Sequence, residues 1–112
     1  MSLFAPLRVP VEIRAPDRRV FRLSSAVADS GLRLARTAPF EIGRPVTVSF
    51  ALPPRDPAAA EVTLTLTATV ALTDEDGDGD GGGRALVFVE PPRDSRQAIA
   101  RYVAERLGLP TS

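Results

Sequence analysis

The 112 residues carry 14 cations, all of them arginine, against 14 acids, and contain no cysteine and no histidine. Disulfides, thiol nucleophiles, Ser-His-Asp triads, the usual zinc ligand sets, Schiff-base lysines and phosphate-loop lysines are excluded together, and with them most familiar catalysis. Zero net charge and 5% aromatic residues argue against the basic, aromatic-studded surface of a general nucleic-acid binder, and no apolar run approaches the roughly 18 residues of a membrane span.

The length suits one domain, 1–112, built on one core. No charged n-region precedes a long apolar core, so the chain reads as cytoplasmic, with residues 1–3 resembling a cloning remnant at the head of an N-terminal segment 1–7. The all-arginine bias fits a GC-rich bacterial genome.

Residues 7–14 alternate Val9, Val11 and Ile13 with Pro10, Glu12 and Arg14, which predicts a first strand with Pro10 at its edge or start. Pro16 and Asp17 sit where a type I turn wants them, and residues 19–28 return as a second strand of a hairpin. Val20, Phe21, Leu23, Ala26 and Val27 break strict alternation, which predicts a bulge near Ser24 and Ser25. Asp29-Ser30-Gly31 is a turn in which Gly31 is free to take positive φ, and Leu32 to Leu34 begin a short third strand. A proline-punctuated loop, turned by Gly43, leads to a fourth strand of Val46, Val48, Phe50 and Leu52 that stops at Pro53-Pro54.

The longest strand covers residues 62–72. Val62, Leu64, Leu66, Ala68, Val70 and Leu72 share one face, and Thr63, Thr65, Thr67 and Thr69 share the other, so one face is buried and the other solvated. It should be the central strand, with shorter strands along both edges. An acidic, glycine-rich segment, 74–83, reads as a flexible hairpin loop, and residues 84–90 form the last strand. The period then changes. Asp94 and Gln97 have capping-box spacing, Ala98, Ile99, Tyr102, Val103 and Leu107 recur at helical intervals, and Gly108 and Pro110 stop a helix over about 95–107, within a C-terminal unit 94–108. The fold class is all-β: a six-stranded antiparallel barrel with one C-terminal α-helix, because a flat sheet would expose edges that one helix cannot cover.

The order Arg-Val-Pro-Val at Arg8, Ser-Gly-Leu-Arg-Leu at Ser30, Ile-Gly-Arg-Pro-Val-Thr-Val-Ser-Phe at Ile42, a long strand, Arg-Ala-Leu-Val-Phe-Val at Arg84 and a terminal helix resembles PilZ domains over nearly the whole chain. The resemblance implies a six-stranded split barrel with a C-terminal helix, and a family whose members commonly bind cyclic di-GMP. It places the ligand between an R-x-x-x-R stretch before the first strand and a D/N-x-S-x-x-G stretch between the second and third. Here the first stretch falls on Phe4 to Arg8, with Phe4 in place of an arginine. The second falls on Ala26 to Gly31, with Ala26 and Ala28 in place of the acidic and serine positions. Only Arg8 and Gly31 match.

Guanidinium forks meet phosphates and guanine edges bidentately, whereas Phe4 and two alanines offer no such contact. Three lost contacts at roughly 1–3 kcal/mol each remove about 3–9 kcal/mol, against about 8 kcal/mol for an entire micromolar affinity. The resulting expectation is a signalling adaptor with a degenerate cyclic di-GMP site. It would act without catalysis or cofactor by binding a bacterial protein partner. One alternative is a cyclic di-GMP receptor using a divergent arginine set, Arg8 with Arg18, Arg19 and Arg33. A second is a calcium module, since Asp74, Asp76 and Asp78 with Gly79 match the opening of a calcium loop. A solvated hairpin tip is the plainer reading of that run, whose position 85 is alanine rather than the closing glutamate. Arg14, Arg18, Arg19 and Arg22 around the first hairpin form either an anion-binding cluster or an exposed charged hairpin offset by Glu12 and Asp17. Ser24, Ser25 and Ser30 have no histidine or lysine to activate them.

Overall fold

The computed structural model describes residues 3–54, 58–71 and 84–109. Its strands are β1 (Ala5–Pro6), β2 (Pro10–Ala15), β3 (Arg18–Ala28), β4 (Gly31–Leu34), β5 (Pro45–Leu52), β6 (Val62–Ala71) and β7 (Ala85–Phe88), followed by one helix, α1 (Arg93–Leu107). All pairings are antiparallel. The ring runs β3-β2-β5-β6-β7-β4, and β4 pairs back onto β3 to close it. The six expected strands thus make the expected closed barrel, and the two-residue β1 is added alongside β3.

β6 pairs with β5 along most of its length and with β7 at its C-terminal end. Leu64, Leu66, Ala68 and Val70 are buried, and Thr63, Thr65 and Thr67 are exposed, as the alternation requires. Val62 departs from its face: it ends the ladder opposite Leu52 and is 47% exposed. The interior is filled by alternate residues of every long strand, including Val11 and Ile13 of β2 and Val48 and Phe50 of β5. The Phe50 and Phe88 rings stack across it at 6.2 Å.

β3 changes phase where the sequence predicted it, with a register shift between Ser24 and Ala26. Gly31 is turned to a different use. Its φ is not positive; instead a Cβ there would stand 2.5 Å from the Leu86 carbonyl oxygen, so the position needs glycine because β7 crosses it closely. Gly43 and Gly108 do have positive φ, 89° and 68°, Gly108 as the left-handed cap that ends the helix.

The last strand stops at Phe88, two residues short of the predicted end. Val89 donates one further hydrogen bond to the Thr67 carbonyl, and Glu90 then takes a φ of 44° that turns the chain toward the helix. The capping box does not form. The cap is Pro92, which has no side-chain acceptor, and Asp94 lies inside the first turn, where its charge favours the helix N-terminus. The helix buries Ile99, Tyr102 and Val103 and packs on β1 and β3.

Candidate functional site

The N-terminal segment lies along β3, with Ala5 opposite Val27 and Pro6 opposite Ala26. Pro6 has no N–H to give, and its carbonyl accepts the Tyr102 hydroxyl at 2.8 Å. Leu7 N–H donates to the Ser25 carbonyl at 3.2 Å. At the bulge, the buried Ser24 hydroxyl donates to the Leu7 carbonyl at 2.5 Å and accepts from Val9 N–H at 3.0 Å. Strand pairing, one serine and one tyrosine thus hold residues 5–9 down.

Continuing this register by one residue puts Phe4 opposite Ala28. The half-buried Phe4 ring lies 4.4 Å beneath the Arg33 guanidinium, and Arg33 in turn pairs with Ala26 in the ladder. The structure therefore gathers Phe4, Ala26, Ala28, Gly31 and Arg33 onto one patch. Ala28 and Gly31 are buried, and Phe4, Ala26 and Arg33 half-buried.

Arg8 stands elsewhere. It lines a cleft of about 870 Å³ with Arg22, Arg36 and Arg84, between Phe21 and Leu23 of β3 on one side and residues 35–39 on the other. Residues 35–39 are tied along β3 by Ala35 N–H to the Leu23 carbonyl (2.8 Å), Arg22 Nε to the Thr37 carbonyl (3.2 Å) and Arg18 Nη1 to the Pro39 carbonyl (3.0 Å). Arg84 donates to the Leu34 and Ala35 carbonyls at 3.4 and 3.2 Å.

The proposed arginine set Arg8, Arg18, Arg19 and Arg33 is consequently dispersed. Arg8 is in the cleft, Arg18 braces the loop, Arg33 covers Phe4, and Arg19 lies 3.8 Å from Glu12. The hairpin cluster is likewise divided, since Glu12 also pairs with Arg14 at 3.1 Å and only Arg22 enters the cleft. Asp17 pairs with Arg44, whose hydrogen bond holds its carboxyl below the ordinary value near 3.8. Asp74, Asp76 and Asp78 lie outside the described residues. Among the described residues no three acidic side chains gather as a metal site, and no helix is long and apolar enough to cross a membrane.

Arg36 and Arg84 were not singled out from sequence as ligand groups, because only barrel closure brings them to Arg8. A signal did exist on β3. Val20, Arg22 and Ser24 occupy the inward phase there, and Phe21 and Leu23 the outward one, 58% and 41% exposed. Two large apolar side chains stand on the solvent phase there, with an arginine between them on the core phase.

No curated protein matches the chain. Among solved structures, that of the Bacillus subtilis inhibitor of motility MotI/DgrA is similar, with a TM-score of 0.77 at 17% identity. The match covers 96% of this chain and 50% of that one, so the chain spans half the length of the motility inhibitor's solved chain. The likeness extends the barrel-and-helix architecture to a second protein. The sequence model of the PilZ domain matches residues 5–105, from β1 into the last turns of the helix, and the chain belongs to the PilZ domain family.

Proposed function

We propose that this PilZ domain is a bacterial signalling adaptor, cytoplasmic and without catalytic activity, whose own cyclic di-GMP site is degenerate and which acts by binding another protein. The observation that carries the reading is the patch at β1, β3 and β4. Phe4 stacks on Arg33 where the family pattern has a ligand arginine, and alanines fill the positions of its acceptor and hydroxyl. A half-buried guanidinium whose face is covered by an aromatic ring is poorly placed to stack on guanine, and the alanines give a phosphate nothing to bond.

Calorimetry with cyclic di-GMP at tens of micromolar should show no binding by the unmodified chain. Phe4→Arg with Ala26→Asp and Ala28→Ser should recover measurable binding, because the three polar groups return to one patch and the Arg33 face is no longer covered by a ring. Micromolar binding by the unmodified chain, abolished by Arg8→Ala, would sink the adaptor reading in favour of a receptor built on other arginines.

A further inference from the structure

Four guanidinium groups reach the cleft from four parts of the chain: Arg8 ahead of β2, Arg22 on β3, Arg36 beyond β4 and Arg84 ahead of β7. Among the described residues no carboxylate lines it. The neighbouring cations are met elsewhere, Arg14 and Arg19 by Glu12, Arg44 by Asp17 and Arg18 by a carbonyl. Among the described residues, the cations of this region that lack a partner, Arg8 and Arg36, therefore both line the cleft. Arg22 and Arg84 are pre-placed there by backbone carbonyls. Arg8 and Arg36 are exposed and have no hydrogen-bond or ion-pair partner among the described residues. The cleft also has an apolar side, because Phe21 and Leu23 project from the same phase of β3, about 7 Å apart by strand geometry.

We propose that this cleft docks an extended acidic segment of a partner protein, its carboxylates on the guanidiniums and one apolar side chain against Phe21 and Leu23. The proposal rests on the adaptor reading and supplies its contact surface. A guanidinium takes a carboxylate with two parallel hydrogen bonds, so arginine rather than lysine suits such a groove. An extended chain repeats its side chains at the same spacing of about 7 Å as β3, so acidic residues on either side of an apolar one fall into register with the strand. A nucleic-acid strand fits less well. It needs a longer phosphate track and successive stacking platforms, and the cleft offers one aromatic ring.

The test is selection from a random dodecapeptide phage library on the full chain, followed by fluorescence polarisation with an enriched peptide. The selected pool should be rich in aspartate and glutamate around one apolar residue. Binding should weaken as salt rises and fall about fivefold for each of Arg8→Ala and Arg36→Ala. Arg14→Ala, outside the cleft, should leave it unchanged. The double reversal Arg8→Glu with Arg36→Glu, at exposed positions that spare the fold, should turn the selection toward basic peptides, with its thermal melt checking that the barrel is intact. A pool without acidic bias, or one unaffected by the reversal in a folded chain, overturns the cleft assignment. The adaptor reading falls separately, on micromolar cyclic di-GMP binding by the unmodified chain.

Discussion

A methyl group added at Gly31 would meet a backbone carbonyl, which cannot rotate away as a side chain would. Gly31→Ala should therefore destabilise the barrel by about 1–3 kcal/mol in urea unfolding, the range of an overpacked core, by forcing β4 and β7 apart. Gly43→Ala meets no atom and is penalised only by its positive φ, so it should cost less, about 1 kcal/mol. Asp17 makes a prediction in pH. Its folded carboxyl titrates below its ordinary value because Arg44 hydrogen-bonds the charged form. The stabilisation is full above the unfolded-state value and is lost as pH falls through the lower folded one. A carboxyl-detected NMR titration should find the Asp17 midpoint depressed in the intact chain and raised toward the ordinary carboxylate range in Arg44→Ala, where the backbone hydrogen bond and Arg18 remain.

β6 tests the face assignment at the scale of an element. Leu66→Asp places an unpaired charge at a position 2% exposed and should unfold the domain, whereas Thr67→Asp, on the exposed face, should shift the melting temperature by only a few degrees. Equal tolerance of the two in a thermal melt would overturn the face assignment. This strand was readable because its alternation of Thr with Leu and Val admits one period, and the β3 bulge was readable because two apolar residues in succession cannot both face inward. The helix was readable as a period but not at its start, since local spacing made Asp94 look like a cap while the chain's exit from β7, through Glu90, set the boundary at Pro92. The candidate site divides in the same way. Phe4, Ala26, Ala28 and Gly31 followed from a motif within two short stretches, and the stacking of Phe4 on Arg33 did not, because it depends on β1 joining β3. Arg36 and Arg84 are 48 residues apart in number, and no local pattern announces that they share a wall.

At the scale of the whole molecule, the contacts that complete the barrel join sequence-distant elements: β2 with β5, β4 with β7, and the helix with β1. Folding should accordingly be cooperative and slow for the chain's length. Ser24 joins the N-terminal segment to the barrel with both of its hydrogen bonds in a buried place, so Ser24→Ala should cost about 1–3 kcal/mol and accelerate hydrogen exchange at Leu7 and Val9 before other strands loosen. The hydroxyl of Tyr102 on the Pro6 carbonyl adds an order in time. Synthesis delivers Pro6 96 residues ahead of Tyr102, so until the helix is made the segment is held by its pairing with β3 and by Ser24 alone. A ribosome-bound chain stalled ahead of Tyr102 should be cut by protease near residues 3–9 faster than one extended past the helix, the difference measuring what this last fastening adds to the first strand.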